Sequence, residues 1–115
     1  MQNYLDEFPS YDDVLPVIKG FEDGSWHNDA CPSLIRKVGE NAYLQLWCDY
    51  KNKNLSDFAD LDGDQYNRYA LSLVNDEEGL HIGLASSNDL NEVLEFIKNN
   101  VNYIGDLSWW IIFKQ

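Results

Sequence analysis

The stretch Tyr66-Asn67-Arg68-Tyr69-Ala70-Leu71-Ser72-Leu73-Val74-Asn75-Asp76-Glu77-Glu78-Gly79-Leu80-His81-Ile82-Gly83-Leu84 decides the fold. From Tyr66 to Val74 the residues alternate, with Tyr69, Leu71 and Leu73 facing one way. Asn75 to Gly79 has the composition of a turn, and Leu80, Ile82 and Leu84 then alternate again. Side chains on a strand point to opposite faces in turn, so two such runs across a glycine-containing turn specify a β-hairpin.

The pattern repeats upstream. Ala42 to Tyr50 sets Leu44, Leu46 and Cys48 on one face and Tyr43, Gln45 and Trp47 on the other. Leu34 to Val38 reads as a short strand, and Gly39-Glu40-Asn41 as the turn of a second hairpin. Pro32, unable to donate a ladder hydrogen bond, marks the strand's edge.

Downstream the period changes. Leu90, Val93, Leu94, Ile97 and Val101 recur at helical spacing, with Asn91, Glu92, Glu95 and Lys98 on the other side. Ser86 with Asp89 resembles a capping box with Asp in place of Glu, and Asn99-Asn100 suggests the end. An isolated helix of this length is marginal in water, so its apolar face is expected to pack on the sheet. The aromatic and β-branched tail, Tyr103 to Phe113, reads as a last strand. The first 20 residues are weakly patterned: Ser10 is placed to N-cap a short helix with Asp12 and Asp13 in its first turn, limited by Pro16. Gly20, Asp23 and Gly24 mark a turn. The expected architecture is α+β: an antiparallel sheet of four or five strands with one long helix packed on one face, in a single domain spanning residues 1–115.

Composition supports a packed core, since 44% of the 115 residues are hydrophobic and 14% aromatic, too many for a disordered chain. Charge bears on partners. Twenty Asp and Glu against eight Lys and Arg give a formal net charge of -12. Such a chain is repelled by nucleic acid and by anionic membranes and attracted to basic proteins. Met1 to Ser10 carries Asp6 and Glu7 and no basic residue, the reverse of a secretory leader, and no apolar run approaches the roughly 20 residues of a membrane span. Cys31 and Cys48 do not make a disulfide framework. These features predict a cytoplasmic protein with reduced thiols.

The candidate chemistry is thin. His27 and Cys31 at i, i+4, with Cys48 and Asp29, are the nearest thing to a zinc site, but there is no Cys-x-x-Cys and no second close pair. The same Cys31, His27 and Asp29 form a nucleophilic triad on paper only, because nothing around Cys31 resembles a nucleophile elbow or helix start. Asp60-Leu61-Asp62-Gly63-Asp64 begins like a calcium loop, yet Gln65 stands where Gly is required and Leu71 where Glu is. No glycine-rich phosphate loop occurs, and the grouping Arg36, Lys37, Lys51 and Lys53 is outweighed by the acids. No catalytic residue, metal or cofactor is assigned.

The run Trp26-His27-Asn28-Asp29-Ala30-Cys31-Pro32-Ser33, with Leu44 to Tyr50, Arg68-Tyr69 and the Asp89 to Ile97 helix, is similar to small bacterial proteins carrying a Trp-x-Asn-Asp-x-x-Pro-Ser motif ahead of a short sheet. That likeness covers about residues 24 to 98 and implies no activity or catalytic residues. In size, acidity and absence of catalytic motifs, the chain also resembles toxin-immunity proteins and phage-encoded inhibitors.

The expected function is therefore recognition. A protein-binding inhibitor that occludes a basic partner, such as an immunity protein against a nuclease toxin, would use carboxylates to select and an aromatic residue to anchor. The residues expected to bind the partner are Asp57, Asp60, Asp62 and Asp64 in the acidic loop, Asp76, Glu77 and Glu78 in the hairpin turn, and Trp47 as anchor. Two alternatives stand beside it. One is a phage or plasmid inhibitor of host defence, of anti-CRISPR or anti-restriction type. The other is a small ligand-binding domain or enzyme built on the Trp26–Ser33 loop, whose plainer reading is that Asn28 and Asp29 cap backbone amides and Trp26 fills the core.

Overall fold

The computed structural model describes residues 3–61 and 66–104, of which 101–104 are described by their backbone alone. Five strands follow one another in chain order and pair antiparallel with their neighbours: β1 (Glu22–Asp23), β2 (Ser33–Lys37), β3 (Ala42–Cys48), β4 (Tyr69–Asn75) and β5 (Leu80–Ser87). A short helix, α1 (Tyr4–Glu7), precedes the sheet, and a long one, α2 (Leu90–Ile104), follows it. The α+β class, the antiparallel sheet and the long helix on one face agree with the sequence pattern.

Register explains which face is buried. Leu34 lies opposite Leu46, Leu46 opposite Leu71, Leu44 opposite Leu73, and Leu73 opposite Ile82. Each apolar set therefore lands on the same side, and a slip of one residue would turn it to the other. Leu44, Leu46, Cys48, Leu71 and Leu73 are almost wholly enclosed there. Burying each leucine stabilises the fold by about 1.5–3 kcal/mol. A bulge between Leu71 and Ser72 pairs them with Ala85 and Gly83, leaving Leu84 as the extra residue on β5. The β4–β5 turn closes on Gly79 at φ 65°, in the left-handed region that glycine enters without steric penalty.

Among the described residues, two elements cover the apolar face. Helix α2 packs against β4 and β5 and brings Val93 and Ile97 into the core. The N-terminal arm contributes Phe8, Tyr11 and Leu15 to the same cluster. Its aromatic rings stack edge-to-face, Tyr4 on Tyr11 at 5.8 Å and Tyr11 on Tyr50 at 5.4 Å. Polar ties hold the arm as well. The Asp12 carboxylate accepts the amides of Lys51 and Asn52 at 2.8 and 2.7 Å, and Arg68 pairs with Asp13 at 2.7 Å.

Several local expectations are corrected. The first helix lies at Tyr4–Glu7, capped by Asn3 accepting the Leu5 amide, and not after Ser10. Asp12 and Asp13 serve instead as tethers. Glu22–Asp23, read as part of a turn, is a two-residue strand on the sheet edge. Strand β5 runs through Ser86 to Ser87, so the α2 cap falls to Asp89, whose Oδ1 accepts the Asn91 amide at 2.9 Å. Ser87 supports that cap, accepting the Asp89 amide and donating to Glu92. The helix passes Asn99-Asn100 and takes in Tyr103 and Ile104, the start of the expected tail strand. The rest of that strand lies outside the described residues. Trp26 is 45% exposed and stacks on His27 with ring centroids 4.1 Å apart, so it does not fill the core. Among the described residues, no helix is long and apolar enough to cross a membrane.

Candidate functional site

Strand β3 ends at Cys48 and β4 begins at Tyr69, so the connection between them wraps one end of the sheet. Asp49, the first residue past β3, organises it. This side chain is buried, at 4% exposure. Its Oδ2 accepts the Ser56 hydroxyl at 2.6 Å and the Tyr66 hydroxyl at 2.8 Å, and its Oδ1 accepts the Tyr50 amide at 2.8 Å. The Asp49 carbonyl accepts from Arg68 Nε at 3.0 Å, and its amide donates to the Arg68 carbonyl at 3.0 Å. Burial makes each such bond costly to lose, and here every polar group of Asp49 has a partner.

Around this network the surface sinks into a concavity of about 460 Å³. Trp47, Phe58, Leu61 and Tyr66 supply apolar wall, and Cys31, Asp49 and Arg68 are among its polar lining. Trp47 lies on the sheet face opposite the leucines, between Ser33 on β2 and Ala70 on β4. The connecting segment folds over through a 3-10 turn, Lys53–Leu55, after which Ser56 accepts the Phe58 amide at 3.0 Å. Lys53 donates to the Leu61 carbonyl and holds its ammonium 5.1 Å from the Tyr66 ring centroid. This bracing leaves Phe58 44% and Leu61 36% exposed. Both side chains thus present apolar surface to solvent beside the concavity.

The residues expected to bind a partner divide between the two ends of the sheet. Asp57 and Asp60 are exposed and sit on the loop that brings Phe58 and Leu61 to the concavity. Trp47 is half-buried and lines that same concavity. Asp62 and Asp64 lie outside the described residues. Asp76, Glu77 and Glu78 occupy the β4–β5 turn, a strand's length away, about 20 Å. There Tyr43 donates to Asp76 at 3.3 Å, Asn41 donates to Glu77, and the Glu78 amide donates to Asn75 Oδ1 at 3.1 Å. The turn acids are thus engaged in local structure and belong to a different surface from Trp47.

Asp49, Phe58, Tyr66 and Arg68 are the site residues that the sequence reading missed. The large apolar residues Leu55, Phe58 and Leu61, set among the polar residues of the loop, were the available signal. Nothing in the sequence distinguishes Asp49 from its many acidic neighbours.

The thiols have the opposite character to nucleophiles. Burial pushes the Cys31 thiol up, and the nearby Asp49 carboxylate adds to the effect. Burial likewise pushes Cys48 up to about 12. A catalytic thiol needs the reverse shift. His27, the base on paper, turns to Glu7 at 3.4 Å and is exposed. Among the described residues, no three His, Cys, Asp or Glu side chains converge as metal ligands. The Trp26–Ser33 loop is held by Ser25, whose Oγ accepts the Ser33 amide at 3.2 Å. Its Asp29 is raised by burial.

Comparison with protein-family models, with curated proteins and with solved structures finds no match to the chain.

Proposed function

We propose that the chain is an acidic binding protein that docks on a basic protein and occludes it, as an immunity protein does its nuclease toxin. The observation that carries this reading is the loop where exposed Phe58 and Leu61, which line the concavity, alternate in sequence with the exposed Asp57 and Asp60. Desolvated apolar contact supplies affinity, and the flanking acids select a cationic surface and speed its approach. The net charge of -12 extends that attraction over the whole molecule. In this arrangement Phe58 and Trp47 are both walls of the receiving cavity, Phe58 the more exposed. On this reading the chain works in the cytoplasm, where Cys31 and Cys48 stay reduced.

The test is capture at low and at raised salt, followed by an activity assay of whatever is retained. A basic protein, released by salt and inhibited by a stoichiometric amount of the chain, is the expected result. Reversing Asp57 and Asp60 to Lys should slow association at least tenfold while leaving the fold intact, because both side chains face solvent. An acidic or neutral partner, or binding that charge reversal leaves unchanged, overturns the reading. A partner from a toxin locus indicates immunity; a host restriction or CRISPR nuclease indicates anti-defence.

A further inference from the structure

The concavity has a charge character that its apolar walls conceal. Among the described residues, two charged ones line it, Asp49 and Arg68. The Arg68 charge is matched, since its Nη2 pairs with Asp13 at 2.7 Å while its Nε donates to the Asp49 carbonyl. The Asp49 carboxylate is not matched in the same way: its hydrogen-bond partners are two hydroxyls and an amide, all neutral. Donors of this kind satisfy its lone pairs without cancelling its charge. A carboxylate buried as Asp49 is projects a negative potential that water screens weakly. Trp47, Phe58 and Tyr66 line the same concavity with aromatic rings, whose faces also attract cations. Lys53 over Tyr66 and Arg68 over Tyr69, with its guanidinium carbon 4.9 Å from the ring centroid, show the chain using this pairing internally.

From this arrangement we infer that the concavity receives an arginine side chain presented by the basic partner, with the guanidinium between aromatic walls and above the Asp49 carboxylate. The inference rests on the docking reading above and names the group that enters the site. Arginine fits better than lysine because its flat, weakly hydrated cation stacks on rings and loses less solvation on entry. A volume of about 460 Å³ admits one such side chain with part of its backbone.

The probes are N-acetyl-arginine methylamide and its neutral isostere, N-acetyl-citrulline methylamide, titrated into the full chain by NMR. The Trp47 indole resonance, assigned with Trp47→Phe, is the reporter. The arginine probe should shift that resonance with at least tenfold tighter apparent affinity than the citrulline probe, and Phe58→Ala should weaken the arginine response. Phe58 is exposed, so that variant should retain the fold. Equal response to both probes means an apolar pocket without charge selection and overturns the inference. No Trp47 response at millimolar arginine probe overturns it also. A basic partner that is still captured and inhibited with unchanged affinity by Phe58→Ala and Trp47→Phe chains leaves the docking reading standing and removes this one.

Discussion

Tyr66 donates its hydroxyl hydrogen to Asp49 Oδ2 at 2.8 Å, a buried bond spanning seventeen residues of chain. It fixes the end of the long β3–β4 connection to its beginning. The same carboxylate bonds Ser56 and the Tyr50 amide, so one side chain ties together three points of that connection. Asp49→Ala should leave two hydroxyls and an amide unpaired in the interior and cost about 3 kcal/mol or more. Tyr66→Phe removes one of those bonds and should cost about 1–2 kcal/mol. Urea denaturation of the three chains checks both values, and a milder loss for Asp49→Ala than for Tyr66→Phe would contradict the network.

The Arg68–Asp13 pair ties the N-terminal arm to the start of β4 and makes stability depend on acid pH. The Arg68 hydrogen bond, helped by the Val14 amide, holds the Asp13 carboxyl below its ordinary 3.8. A carboxyl whose folded value is depressed contributes stability above 3.8, lost as pH falls through the folded value. Asp13 is 35% exposed and Arg68 16%, so solvent screens the pair and the contribution is about 1 kcal/mol. Asp13→Asn should be less stable than the parent by that amount at neutral pH, and the gap should close as pH drops below 3.8. A gap that stays constant with pH would assign the effect to packing alone.

The alternation of apolar residues in β3, β4 and β5 was readable because one face is buried and the period of two is strict. The helix face of α2 was readable for the same reason at its own period. The N-terminal arm was not, because Phe8, Tyr11 and Leu15 enter the core from irregular backbone with no period to betray them. The α2 cap was misplaced since Ser86, Ser87 and Asp89 are all good capping residues, and only the length of β5 decides among them. Acidity of the site loop was plain in composition. Its separation from the Asp76–Glu78 turn follows from the single strand between them, whereas the placement of Trp47 at the loop's end depends on how β3 pairs with β4.

Gly24 is required by a contact and not by its dihedral angles. A Cβ there would lie 2.7 Å from Ile35 Cγ2 and 3.1 Å from its Cγ1. The β-branched Ile35 has little rotamer freedom to move away, and the Gly24 amide bonds the Ser33 carbonyl at 3.0 Å, so the backbone cannot retreat without cost. Gly24→Ala should destabilise the chain by about 1–3 kcal/mol. Adding Ile35→Ala removes the obstructing atoms. Thermal denaturation of the double variant should show it more stable than the sum of the single changes allows, whereas strict additivity would refute the clash.

Buried protons govern the alkaline limit. Burial raises Cys48 from 9.0 to about 12, and burial together with the bond to Asp49 raises Tyr66 from 10.0 to about 12. For groups raised in the folded state, the stabilising effect is complete below the unfolded value and is lost as pH climbs through the folded one. Stability should therefore hold up to pH 9 and fall between 9 and 12, as the unfolded chain releases protons that the folded chain retains. Tyr66→Phe should flatten the part of that decline above pH 10. The thiols give an independent reading. Both cysteines are buried and free, so neither should react with a disulfide reagent at about pH 8 while the chain is folded, and both should react in denaturant. Rapid modification of Cys31 in the folded chain would show that reagent enters through the concavity it lines, which would make the pocket deeper and wetter than its apolar walls imply.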